Sequence, residues 1–286
     1  MSVARLRNVL LAGLATVQLG CAQMDALRPG AKIAGNDNAT PSIGMIVFPG
    51  FTPLDVFGPL EILFALSGSH NMTLSTIGFT TGPVDARSPA PFYQDVGDNN
   101  TTPFDPKFVI NPQIIATHDF SNAPPLDILI VPGGTGDFLL DNQHNFTMEH
   151  FIASRFDAAQ YVLSVCTGAT TLARAGVLAG RRATTNKSAW KWATASRHGS
   201  NITWVPSARW VEDGKVWTSS GVAAGMDMMY AFAGHYWGWD VANATVNKIE
   251  YTPHADRHWD AFAVVHDVPG ADRNESLTDC LRPAGW

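Results

Sequence analysis

Three short apolar runs, each closed by small turn-forming residues, constrain this chain most. Residues 43–48 (IGMIVF) end on Pro49-Gly50, and residues 126–131 (LDILIV) end on Pro132-Gly133-Gly134. Residues 161–165 (YVLSV) run straight into Cys166-Thr167-Gly168. Five or six residues that are mostly apolar, rather than alternating with polar ones, read as strands covered on both faces, as in a parallel sheet. Helical spacing follows the first run over 54–66, and a small-residue helix follows the third over 169–175. Strands alternating with helices predict an α/β fold with a mostly parallel sheet and helices on both sides. In such sheets ligands bind at the carboxyl ends of the strands, near the point where strand order reverses. The three strand ends are therefore where chemistry is expected.

The rest of the chain fits that plan. Further strands are predicted over 73–79 and 182–184, and helices over 146–156, 189–198, 222–235 and 239–249. Segments 208–212 and 215–219 flank Asp213-Gly214, a hairpin signal. Residues 82–125 are rich in Pro, Asn and Asp and are read as short strands with an excursion. With 286 residues, 45% hydrophobic and 15% charged, the chain has ample material for a core. A net charge of −6 excludes the basic stripe of a nucleic-acid binder. Three cysteines exclude a disulfide-stapled scaffold and a four-thiolate zinc site.

Residues 1–22 read as a signal peptide: Arg5 and Arg7, a short apolar run, then Gly20-Cys21-Ala22 before the cut. The organisation expected is signal peptide 1–22, linker 23–41, α/β domain 42–252 and a loose C-terminal tail 253–286. Nine glycosylation acceptors, at Asn38, Asn71, Asn99, Asn100, Asn145, Asn186, Asn201, Asn243 and Asn274, accompany the leader. The expectation is a secreted, N-glycosylated protein with no membrane span in the mature chain. Cys166 and Cys280 would then remain, and a bridge between them would block chemistry at Cys166.

Cys166 is the main chemical signal. A cysteine between an apolar strand and a small-residue helix has the setting of a nucleophile elbow. A thiol at a helix N-terminus is expected to have a lowered pKa and to supply thiolate near neutral pH. Asp55 opens the helix after the first strand and is read as the group that moves a proton to or from a substrate. Glu61, six residues on, is read as structural. Thr167 carries a hydroxyl beside the thiol and is either catalytic or a plain helix cap. The Gly133 and Gly134 amides, with Gly50, are expected to bind substrate and hold its developing negative charge. His254 and His258 with Asp256 and Asp260 have no recognised metal-binding pattern, and neither metal nor organic cofactor is expected.

These motifs, in their order and spacing, resemble the ThiJ/PfpI superfamily. The residues that carry the resemblance are 46–50 (IVFPG), 54–61 (LDVFGPLE), 129–134 (LIVPGG), 164–169 (SVCTGA), 181–185 (RRATT) and 221–227 (GVAAGMD). They cover the chain from about Ile43 to about Tyr251. The resemblance implies a class I glutamine-amidotransferase-like fold, a flavodoxin-like three-layer sandwich with the cysteine at the strand-to-helix elbow. Within the superfamily the match is to the isonitrile hydratase-like branch. It places Cys166 on the nucleophile, Asp55 on its acidic partner and Thr167 on the residue after the nucleophile. Superfamily proteases and many glyoxalase-type members have His at that last position, so Thr167 removes a local Cys-His pair. The branch continues Ala-Thr-Thr with His, where this chain has Asn186.

The function expected is cysteine-dependent hydration of a small isonitrile to an N-substituted formamide, without cofactor, in a homodimer. One alternative is another lyase, isomerase or glyoxalase-like hydrolase tailoring a secondary metabolite. The other is a thiol redox sensor or ligand-binding protein without turnover. Branch members fused to helix-turn-helix regulators sense ligands, but the 35 residues after Tyr251 are not expected to form such a module.

Overall fold

A computed structural model of the chain describes residues 40–89 and 106–274. The expected signal peptide, Cys21, Cys280 and the acceptors Asn38, Asn99 and Asn100 lie outside the described residues. In chain order, β1 (Ser42–Ile46) leads to α1 (Pro53–Ser67), β2 (Thr73–Gly78), β3 (Gly82–Asp85), β4 (Gln113–Ala116), β5 (His118–Asp119), β6 (Ile128–Val131), α2 (Thr135–Asn142), α3 (Thr147–Phe156), β7 (Tyr161–Ser164) and α4 (Gly168–Arg174). Then come β8 (Arg182–Ala183), α5 (Trp190–Ala193), β9 (Thr203–Trp204), β10 (Trp210–Asp213), β11 (Val216–Ser219), α6 (Ala224–Trp237), α7 (Trp239–Lys248) and α8 (Phe262–Val265).

The main sheet has the order β10-β11-β7-β6-β1-β2-β5, parallel except for the β10–β11 hairpin. The apolar runs form its middle, and β6 is buried along its whole length. Helices α1, α6 and α7 pack on one another as one layer, and α3 packs on α4 in the other. The three layers and the mostly parallel sheet are those of a flavodoxin-like fold.

The chain steps outward from β1 to β2 and returns to β6 on the other side. That reversal lies between β1 and β6, and the loops that follow them meet there. Thr52 N donates to Gly133 O at 2.9 Å, and Phe51 and Gly134 form an isolated bridge. Helix α4 rides close on β6: a Cβ at Gly168 would collide with the Val131 carbonyl oxygen, so only glycine fits. This close approach sets the Cys166 turn directly over the reversal.

Several elements differ from the sequence reading. Helix α2 was not expected, because Gly134-Thr135-Gly136 reads as a turn. Tertiary contacts hold it instead, with Asp137 accepting from Arg174 and from Thr171. The helix predicted over 189–198 is one short turn, α5, followed by a 3-10 turn over Ser196–His198. The hairpin turns on Gly214-Lys215, one residue later than expected, with Gly214 at φ +61°. The excursion forms an antiparallel ribbon of β3 and β4. Of the tail expected to be loose, the described residues 253–274 are instead packed: Trp259, Asp260, Ala261, Ala263 and Val268 are buried. Among the described residues no helix is long and apolar enough to cross a membrane.

Candidate active site

Cys166 sits on the turn between β7 and α4 with φ +59°, a left-handed backbone that disfavours side chains by about 1–2 kcal/mol. Two hydrogen bonds hold it there. Its N–H donates to Ser220 O at 3.0 Å, and its carbonyl accepts from Thr185 Oγ1 at 3.0 Å. The residue is 5% exposed, so a reactant must be small to touch the sulfur.

Three donors converge on that sulfur. Asn186 Nδ2 lies 3.1 Å away, and the Thr167 and Val222 amides also face it. The Asn186 amide cannot flip, because its Oδ1 accepts from Ala189 N at 2.9 Å and from Ser188 Oγ at 2.6 Å. Facing these donors is Asp55, buried in the first turn of α1. Its Oδ2 accepts from Gly133 N at 3.0 Å, while Oδ1 has no hydrogen-bond partner.

Burial raises the Asp55 carboxyl from 3.8 to about 7, against the Gly133 amide and the thiol, which favour its charged form. Burial also pushes the Cys166 thiol up, and the Asp55 charge adds to the rise. The Thr167 amide, Asn186 and the Val222 amide pull the other way without overcoming it. The low-pKa thiolate expected from the helix N-terminus is therefore corrected. Helix α4 has only seven residues, and desolvation beside a carboxylate outweighs its amides. The resting pair carries its protons on sulfur and, below about pH 7, on Asp55.

Cys166, Asp55, Thr167, Gly133 and Gly134 thus come together at the β1–β6 reversal, but the glycines do other work than expected. The Gly133 amide is given to Asp55, and the Gly134 amide to Thr167 Oγ1 at 3.1 Å. Neither is free for a substrate's charge; the Thr167 and Val222 amides and Asn186 are the groups turned toward the sulfur. Thr167 makes no side-chain cap on α4. Gly50 is structural: its N–H donates to Asp85 O at 2.9 Å and its carbonyl accepts from Gly136 N at 3.0 Å. Glu61 is exposed on α1 and takes no part. His254 contributes its backbone N–H to Asp227.

The sequence reading gave Asn186 no chemical role, only that of a glycosylation acceptor, and missed the Val222 amide. Val222 lies in the 221–227 motif, which carried the resemblance but no chemical assignment. Gly221 has a reason to be glycine: a Cβ there would sit 2.9 Å from Asn186 Nδ2. Gly221→Ala is expected to push Asn186 off the sulfur, removing one donor that favours the thiolate. Alkylation of Cys166 by iodoacetamide at fixed pH, followed by mass spectrometry of its peptide, should slow about tenfold. An unchanged rate would show that Asn186 does not tune the thiol.

A cavity of about 530 Å³ opens elsewhere, beyond the ends of β1 and β2. Pro49, Phe79, Asp85, Arg87 and Ser88 are among its lining residues, and it includes neither Cys166 nor Asp55.

Comparison with known proteins matches this geometry to one family. The model of the DJ-1/PfpI family matches residues 41–234. An isonitrile hydratase from Pseudomonas putida is 30% identical over 74% of this chain and 78% of its own length. The HTH-type transcriptional regulator GbdR of Pseudomonas aeruginosa is 31% identical over 49% of this chain, which spans only 36% of that regulator. Among solved structures, a THiJ/PfpI family protein from Pseudomonas syringae superposes with a TM-score of 0.59 at 26% identity, covering 80% of this chain and 84% of that one.

The reading of a secreted, signal-bearing glycoprotein is corrected. Its leader lies outside the described residues, and the relatives that match the chain are named as a hydratase and transcriptional regulators. The acceptor Asn186 is spent on the thiol: both ends of its amide are bonded inside the site, which leaves no place for a sugar. The match runs from β1 into α6, through Asp55, Gly133 and Cys166: the chain belongs to the DJ-1/PfpI family.

Proposed function

We propose that this protein hydrates a small isonitrile to an N-substituted formamide, with Cys166 as nucleophile and Asp55 as the proton carrier. One observation carries the reading: a buried carboxyl, raised to about 7 and with Oδ1 unpartnered, lies against a thiol that three N–H donors surround. A carboxyl that stays protonated near neutral pH can act as an acid. An isonitrile, R–N≡C, needs a proton on its terminal carbon as the nucleophile arrives there. Its reacting end is slim enough for a nearly closed site.

Asp55 gives its proton to the isonitrile carbon as sulfur bonds to that carbon, and the thiol proton passes to the Asp55 carboxylate. The product is a thioimidate, R–N=CH–S–Cys166. Asp55 then protonates the nitrogen, and the carboxylate so formed takes a proton from the water that attacks the carbon. The C–S bond breaks as the hydroxyl proton passes through Asp55 to sulfur, releasing R–NH–CHO. Water and isonitrile are consumed one for one, and the thiol is restored. Asn186 and the Thr167 and Val222 amides stabilise negative charge on sulfur during the first and last steps.

The first step needs Asp55 protonated. The rate kcat/KM for formamide formation from an alkyl isocyanide, followed by NMR, should therefore fall as pH rises through about 7. Asn186 adds no second titration. A profile flat from pH 6 to 9 would remove Asp55 from the proton-transfer role.

A ligand-binding reading without turnover is favoured by one observation, the closed and protonated resting thiol. Tight binding of an isonitrile with no formamide would select it.

A further inference from the structure

Beneath the thiol site lies a second cluster that the mechanism does not use. Lys187, Arg209, Asp227 and Asp260 are all buried: an arginine and a lysine whose pKa burial lowers to about 7, set against two carboxylates. Arg209 directs its guanidinium to Asp227 Oδ2 at 2.6 Å and to Asp260 Oδ1 at 3.4 Å. Asp227 Oδ1 also accepts from Tyr251 Oη and from His254 N at 2.8 Å. Lys187 Nζ donates to Thr184 Oγ1 at 2.7 Å and to Ala208 O at 2.8 Å, within the field of Asp260.

Three members of the cluster, Lys187, Asp227 and Arg209, lead to groups that hold Cys166, and Asp260 acts on two of them. Lys187 follows Asn186, and its Nζ ties down Thr184, so the strap 184–187 is pinned on both sides of the thiol's donor. Asp227 lies in the first turn of α6, just after the Val222 amide that faces the sulfur. Arg209 O accepts from Ser220 N at 2.8 Å, and Ser220 O accepts the Cys166 N–H. Tyr251, His254 and Asp260 come from the segment after the family match, which stops at residue 234.

We propose that the segment 251–262 is a positioning element of the thiol site, acting through the Lys187–Asp260–Arg209–Asp227 cluster on Asn186, the Val222 amide and the Cys166 backbone. This inference rests on the reading of Cys166 as a reactive thiol and not on the identity of the substrate. Loosening the cluster withdraws donors from sulfur, so thiolate forms less readily. Buried networks of this kind couple to a site by about 0.5–2 kcal/mol, equivalent to about two- to thirtyfold in rate.

The test is the pH dependence of Cys166 alkylation by iodoacetamide, read on the Cys166 peptide because Cys21 and Cys280 also carry thiols. Three full-length variants are compared with wild type: Asp260→Asn, the double variant Asp260→Asn with Lys187→Met, and Tyr251→Phe, which keeps every charge. The expected result is a higher apparent thiol pKa and at least about threefold slower alkylation at pH 8.5, with near-UV circular dichroism unchanged. Should Asp260→Asn alone not fold, the double variant and Tyr251→Phe decide. A lowered Tm with an alkylation profile identical to wild type in the folded variants would overturn the proposal, leaving the cluster a stability device. If wild type converts no isonitrile while the variants still shift the profile, the substrate reading fails and this one stands.

Discussion

Cys166→Ala is expected to stop formamide formation from an isonitrile while leaving the fold in place. Without sulfur there is no thioimidate, and water must attack the isonitrile unaided. Removing a covalent nucleophile costs about 10³-fold or more in kcat, and what remains reflects orientation and the surviving donors. The fold should survive because the substitution removes one atom from a site enclosed by backbone. Alanine keeps the same left-handed strain as cysteine, so the stability change is on the order of 1 kcal/mol. Product NMR and thermal unfolding check the two halves. Turnover within about tenfold of wild type would show that the thiol is not the nucleophile.

Asp55→Asn separates acid catalysis from thiol reactivity, because its effects run in opposite directions. Formamide formation should fall about 10²- to 10⁴-fold, since the amide has no proton to give. Alkylation of Cys166 at pH 8 should instead speed up about tenfold. Above about pH 7 the native Asp55 is a carboxylate whose charge pushes the thiol up, and asparagine removes that charge. Stability adds a third readout. Asp55 has its folded pKa raised from 3.8 to about 7, so its contribution is fully present below 3.8 and is lost as pH rises through 7. Above that window the buried carboxylate costs on the order of 4 kcal/mol. Asp55→Asn should therefore be more stable than wild type at pH 8, and the difference should shrink toward pH 4. Slower alkylation together with lower stability at pH 8 would contradict the electrostatic picture of the pair.

The architecture was legible because three buried strands leave three apolar runs, and each ends in residues that can only turn. The same periodicity located Asp55 and Cys166 at neighbouring strand ends. The protonation of the thiol was not legible. Its position at a helix start is local, whereas its burial and the approach of Asp55 from 111 positions away are set by the fold. The glycine amides were misread for a similar reason: nothing in Pro-Gly-Gly shows that Asp55 and Thr167 take both N–H groups. Asn186 stood out only as a departure from a family pattern, and its locked amide gives that departure a chemical meaning. The tail beyond residue 252 looked loose because its apolar residues are few and irregularly spaced. Asp260 and Tyr251 are held by buried partners remote in sequence, Arg209 and Asp227, which leave no periodic trace.

The most direct measurement mixes excess protein with a carbon-13-labelled alkyl isocyanide, quenches in acid at intervals and follows both the label and the Cys166 peptide. Wild type should carry the whole isonitrile mass on Cys166 at early times and release the label as formamide later. Label that stays in isonitrile, or that becomes formamide while the Cys166 peptide never gains mass, would contradict covalent hydration at this sulfur.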